Sequence, residues 1–130
     1  MWHKHLDNNY FISQLYDEVP KLINTRILNI EIEDEGERLT VLFMMPKYAD
    51  NPPKKWKLSP YNRVIVKLGF YDIEELSLTY NSKKFLSGDI KIESENNRLD
   101  VNISGTLNLW FKAHGGVIQS VKGSIVDTLE

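Results

Sequence analysis

Leu28-Asn29-Ile30-Glu31-Ile32-Glu33-Asp34-Glu35-Gly36-Glu37-Arg38-Leu39-Thr40-Val41-Leu42-Phe43-Met44-Met45 is the stretch that decides the fold. Leu28, Ile30 and Ile32 alternate with Asn29, Glu31 and Glu33, a hydrophobic period of two that marks a half-buried strand. Asp34-Glu35-Gly36-Glu37 reads as a hairpin turn. Leu39, Val41, Phe43 and Met45 form one face of the returning strand, with Leu42 and Met44 on the other.

The same rhythm continues downstream. Val64, Val66, Leu68 and Phe70 follow, with Ile65 on their opposite side, then Leu76, Leu78 and Tyr80. A turn is expected at Asn81-Ser82-Lys83-Lys84. Ile90 and Ile92 precede Asn96-Asn97, a dipeptide suited to the positive φ of a tight hairpin. Leu99, Val101 and Ile103 return. Gly105 breaks the pattern, and Leu107, Leu109 and Phe111 continue. His114-Gly115-Gly116 reads as another turn before a last strand within Val117 to Ile125. Short turns force antiparallel neighbours.

Upstream the period is 3.6. Phe11, Ile12, Leu15 and Tyr16 share one helical face. Asn8 or Asn9 suits an N-cap, and Pro20 marks the expected end or break of the helix. The expected fold is mainly β within the α+β class. A short N-terminal helix precedes about eight antiparallel strands in a bent meander, sandwich or partly open barrel. One domain is expected over residues 1–130, with a helical segment at 1–25 packing on a β region at 26–126. Strands at 39–45 and 64–70 are apolar on both faces, so they should be central and covered twice, the N-terminal helix being one cover. Lys91, Glu93, Asn102 and Ser104 should face water.

Composition sets the outer limits. The chain has 130 residues, enough to bury about two-thirds of its unfolded surface. It has no cysteine, which excludes disulfides, zinc–thiolate sites and thiol catalysis. Hydrophobic residues at 42% and charged residues at 26% argue against disorder. A net charge of −2 disfavours generic nucleic-acid binding. No apolar run reaches membrane-spanning length, and the first residues lack an export signal, so the cytoplasm is expected.

The near-neutral total hides a segregation. Glu31, Glu33, Asp34, Glu35 and Glu37 crowd into seven positions, with Asp72, Glu74 and Glu75 on a later segment. Such a cluster steers a basic partner or guards a strand edge. Pro46 to Pro60 is the one long non-periodic connection. It carries Lys47, Lys54, Lys55 and Lys57 with Tyr48 and Trp56. It suits either a nucleic-acid-contacting loop or a segment that Trp56 plugs onto the core. Trp110 has the parity opposite to Leu109 and Phe111, which makes it a candidate interface anchor.

No nucleophile elbow, phosphate-binding glycine loop or dinucleotide fingerprint occurs. His3-x-His5 with Asp7 resembles a metal pattern only superficially, and His114 before two glycines reads as a turn residue. No catalytic residue, metal or cofactor is assigned. A small apolar or sugar-like ligand is the alternative partner, with Trp110, Tyr80, Tyr61 and Trp56 as candidate lining.

Several features occur in a set order along the chain. They are Met1-Trp2, Leu15-Tyr16…Val19-Pro20, Phe43-Met44-Met45-Pro46, Asp50-x-Pro52-Pro53-x-x-Trp56, and Asn62 opening a strand that ends at Phe70. Together they resemble the immunity protein 50 family of bacterial polymorphic-toxin systems. The resemblance implies a cytoplasmic antitoxin that binds a cognate toxin domain stoichiometrically and performs no chemistry. It also implies that Trp2, Pro52, Pro53, Trp56 and Asn62 are fold determinants. The partner-binding candidates are then Glu31, Glu33, Asp34, Glu35, Glu37 and Trp110, with Tyr48, Lys54, Lys55 and Trp56 on the loop. Direct nucleic-acid or membrane binding is not expected. Toxin identity and oligomeric state stay open.

Overall fold

The computed structural model describes residues 1–81 and 85–125. Ser82 to Lys84 of the expected turn, and residue 126 at the expected end of the β region, lie outside the described residues. The elements are α1 (Tyr10–Leu15) and eight strands. The strands are β1 (Thr25–Glu33), β2 (Arg38–Met44), β3 (Arg63–Tyr71), β4 (Glu74–Tyr80), β5 (Leu86–Glu95), β6 (Arg98–Gly105), β7 (Leu107–Ala113) and β8 (Gly115–Ser124). Short 3-10 turns occupy Trp2–His5, Asp34–Gly36 and Lys54–Leu58. The fold is mostly β: one open antiparallel sheet in the order β4-β7-β6-β5-β1-β2-β3-β8.

That order is two three-strand meanders, β1-β2-β3 and β5-β6-β7, joined edge to edge. The junction is narrow, because only Thr25 to Ile27 pair with Leu86 to Gly88. The sheet folds over there. In a flat sheet β3 and β7 would stand five strand spacings apart, about 24 Å. Instead the Phe70 and Phe111 rings meet edge to face at 5.1 Å. Ile27, Leu39, Val41, Phe43, Val64, Val66, Leu68 and Phe70 from one half face Ile90, Ile92, Leu99, Val101, Ile103, Leu107, Leu109 and Phe111 from the other, all buried. Near the fold Gly88 pairs with Gly105. A Cβ at Gly105 would lie 2.3 Å from the Ser87 carbonyl oxygen, so the close approach requires glycine there.

Two connections cross between the halves. β7 is second from one edge of the sheet and β8 forms the other edge, yet they are joined by His114 alone, and the His114 N–H donates to the Tyr71 carbonyl at 3.0 Å. His114-Gly115-Gly116 is therefore a corner between layers and not a hairpin turn. Asp72 and Ile73 make the matching crossing from β3 to β4. Asn96 and Asn97, by contrast, form the expected hairpin at φ 53° and 63°.

The first strand corrects the simple alternation. A bulge between Ile27 and Asn29 shifts the register, so Ile27 is buried opposite Phe43 and Leu28 is pushed out, 39% exposed. Past the bulge Ile30 and Ile32 return to the core side opposite Val41 and Leu39. Bulges of this kind bend and twist a strand where a sheet turns over.

The N-terminal segment is less helical than expected. α1 stops at Leu15, well before Pro20, because Tyr16 turns extended (φ −124°, ψ 140°). The freed Leu15 carbonyl accepts the Asn51 N–H at 2.9 Å, and the buried Tyr16 hydroxyl donates to the Lys47 carbonyl at 2.7 Å. Asn9 occupies the N-cap position, but its side chain caps nothing and bonds the His3 and Leu6 carbonyls instead. Asn8 bonds the Ile118 carbonyl.

This segment closes the core from the inside. Asp7 bridges β8 at Val117, Trp2 packs on Phe43 at 6.0 Å, and Leu22 accepts from the Ile90 N–H of β5. Among the described residues no helix covers the outer face of β2 and β3, and Leu42, Met44 and Ile65 are only half-buried. Lys91, Glu93, Asn102 and Ser104 are exposed, as their parity requires.

Candidate partner-binding site

The β1–β2 hairpin tip is built by three successive positive φ angles, Asp34 at 53°, Glu35 at 55° and Gly36 at 94°. The tight turn throws the carboxylates outward from the end of the sheet. The Ile73 N–H donates to the Glu37 carbonyl at 3.4 Å, which ties the β3–β4 corner to the hairpin. Tip and corner together enclose an open cleft of about 760 Å³ lined by Asp34, Glu35, Glu37, Arg38, Tyr71 and Asp72. Four carboxylates face one guanidinium there. Arg38 contacts Asp34 at 3.3 Å, with both side chains largely in solvent. Such a pair contributes little to stability and leaves the cleft strongly negative. Tyr71 supplies one exposed aromatic face beside it.

The cleft gathers only part of the acidic cluster. Asp34, Glu35 and Glu37 line it, and Asp72 joins them from a distant stretch of sequence. Glu31 and Glu33 pair with Thr40 and Arg38 on the outer face of the sheet, where Thr40 Oγ1 donates to Glu31 Oε1 at 3.4 Å. Tyr71 and Arg38 were not legible as members. Their place follows from the register Arg38↔Tyr71, which brings the start of β2 beside the end of β3.

The remaining candidates lie elsewhere. Trp110 is half-buried on β7, opposite Ser77 and Asn102, and its Nε1–H donates to Asp100 Oδ1 at 2.8 Å. Trp56 is also half-buried, with Phe11, Tyr48 and Tyr61 rings at 6.0, 6.3 and 6.0 Å. It plugs the long loop onto the N-terminal segment. Lys54, Lys55 and Lys57 stay exposed, while Lys47 is held by Asp50 at 2.9 Å. The Lys47 ammonium, and then the Asp17 N–H, hold the Asp50 carboxyl below its ordinary value. The loop connects β2 to β3 at the end of those strands away from the acidic cleft, so the two charged regions oppose each other across the sheet. Tyr80 and Trp110 lie on β4 and β7, whereas Trp56 and Tyr61 belong to the β2–β3 connection and share a ring contact.

The histidines are also separated. Trp2–His5 is a 3-10 turn and not an extended segment; His3 is buried and His5 exposed. Burial chiefly, then the positive charges at Met1 and Lys4, lower the His3 pKa below 6.5. His114 is exposed at the β7–β8 corner, its ring 6.1 Å from Tyr71. Among the described residues no group of three or more histidine or acidic side chains is placed to hold a metal. No described helix is long and apolar enough to cross a membrane.

A family model described as Immunity protein 50 matches residues 8–123. No curated protein and no solved structure matches the chain.

Proposed function

We propose a function from one premise: the chain belongs to the immunity protein 50 family. That membership supports an immunity-protein role. The finer reading is that this protein acts in the cytoplasm as an antitoxin. It binds one cognate toxin domain in a one-to-one complex and blocks it sterically, without turnover. The observation that carries the choice of surface is the cleft where Asp34, Glu35, Glu37 and Asp72 converge beside Tyr71. Clustered carboxylates raise encounter rates with a basic surface and reject acidic ones, while a half-exposed ring supplies an anchor that loses water on binding. A toxin with a cationic cleft is the matching partner class.

Co-expression with a candidate toxin domain encoded by a neighbouring gene tests this reading. The expected result is a co-purifying one-to-one complex and survival of cells that otherwise die. Death despite equal expression of both chains overturns it.

A further inference from the structure

The β4 edge stands out against the opposite edge of the sheet. β8 is bridged at Val117 by Asp7 and carries Lys122 further along. β4 pairs with β7 on one side, and among the described residues no strand pairs with its other side. Every residue from Glu74 to Tyr80 is exposed.

Edge strands usually carry a charge, a proline or a bulge that stops another strand from adding. In β4 these guards collect at one end. Glu74 is held by Arg98 at 3.0 Å, Glu75 has a φ of 52°, and the bulge lies between Glu74 and Ser77. From Leu76 to Tyr80 there is no charge and no proline. Leu78 and Tyr80 stand opposite the fully buried Leu109 and Leu107, so their side chains prolong the core face outward into water. Leu76 shares that face by alternation. Ser77 and Thr79 take the other face.

We propose that β4 pairs with β4 of a second copy of this chain, antiparallel about a two-fold axis at Leu78. The five residues Leu76 to Tyr80 are self-complementary in this register. Leu76 of one copy meets Tyr80 of the other, Leu78 meets Leu78, and Ser77 meets Thr79. Apolar groups oppose apolar groups on the core face, and hydroxyls oppose hydroxyls on the outer face, the combinations that stabilise neighbouring antiparallel strands. An axis at Ser77 would draw Glu75, with its left-handed backbone, into the ladder. An axis at Thr79 would leave Leu76 outside the matched pairs. A two-fold contact closes on itself, so it yields a dimer and no filament.

Sedimentation equilibrium on the full chain tests the proposal. The expected mass rises from 15.1 kDa towards twice that value with concentration. Leu78→Lys and Leu78→Glu each place like charges on the axis, and each stays monomeric alone. Mixing the two places Lys against Glu and restores the dimer. Thermal melts establish that both variants are folded. Tyr80→Asp is the second probe: its ring is 64% exposed, so its loss leaves the monomer intact while placing a carboxylate opposite Leu76 of the second copy. A wild-type chain that stays monomeric to about 1 mM overturns the proposal and leaves the edge to a strand of another protein. A dimer that persists in Leu78→Lys or Tyr80→Asp, or that fails to return on mixing, overturns it too.

Discussion

Phe70 and Phe111 touch at 5.1 Å although their strands are five positions apart in the sheet. This edge-to-face contact joins the two halves of the folded sheet, and both rings are fully buried. Phe111→Ala should therefore destabilise the fold by about 3–5 kcal/mol, the range for a phenylalanine removed from a packed core. Urea denaturation followed by tryptophan fluorescence measures it. A lower midpoint with an unchanged slope is the expected result, because the cavity alters the folded state and not the area exposed on unfolding.

Much of this architecture is legible in the sequence. The alternation of Val64, Val66, Leu68 and Phe70 reports a buried face directly, and Asn96-Asn97 announces its own turn. The rest depends on pairings between remote segments. Nothing local distinguishes Leu28 from Ile30, and only the register with β2 reveals that Leu28 is bulged out. His114-Gly115-Gly116 has turn composition, yet the strand after it joins β3 at the far edge because both halves of the sheet must close over one core. The cleft is similarly non-local. Glu35 and Glu37 are conspicuous in the sequence, but Tyr71 and Asp72 reach them only through the β2–β3 register. The end of α1 was hidden for the same reason, since Leu15 spends its carbonyl on Asn51 in a loop beyond β2.

His3 makes stability depend on pH. Its side chain is buried beside Trp2, its Nδ1 has no hydrogen-bond partner among the described residues, and its pKa lies below the ordinary 6.5. The unfolded chain thus takes up a proton that the folded chain resists. Stability is full above about pH 6.5 and falls as the pH drops towards the folded-state value. The imidazole resonance should titrate with a midpoint below 6.5, and His3→Phe should flatten the loss of stability between pH 7.5 and pH 5. A midpoint above 6.5 would contradict the burial argument.

Trp110 is expected to act chiefly within the fold. Its Nε1–H donates to Asp100 across the β6–β7 pair, with the Lys112 ammonium 6.0 Å from the ring. Trp110→Phe keeps an aromatic surface but removes the donor. The half-exposed Asp100 carboxylate can regain water, so the expected cost is about 1 kcal/mol by chemical denaturation. Complex formation with the cognate toxin should be unaffected, since the residue lies in the half of the sheet away from the acidic cleft. A large loss of affinity in a folded variant would move the interface to the β6–β7 face.

The acidic residues separate into two sets, and kinetics can tell which one meets the partner. Glu35, Glu37 and Asp72 line the cleft, whereas Glu31 and Glu33 stand beside Thr40 and Arg38 and are not part of its lining. Glu35→Lys with Asp72→Lys reverses the sign at the cleft mouth and leaves the core untouched, because both side chains are exposed. Association with the cognate toxin should slow by about tenfold or more at low ionic strength, and its salt dependence should flatten as the steering field is lost. Glu31→Lys with Glu33→Lys changes the net charge by the same amount outside the cleft lining. If long-range charge alone mattered, the two pairs would behave alike. The cleft reading expects the first pair to slow association more and also to raise the dissociation rate, since those residues would lie within the interface. Stopped-flow association at two salt concentrations, paired with dissociation by competition, distinguishes these outcomes. A larger effect from Glu31 and Glu33 would place the toxin on the outer face of β1 and β2.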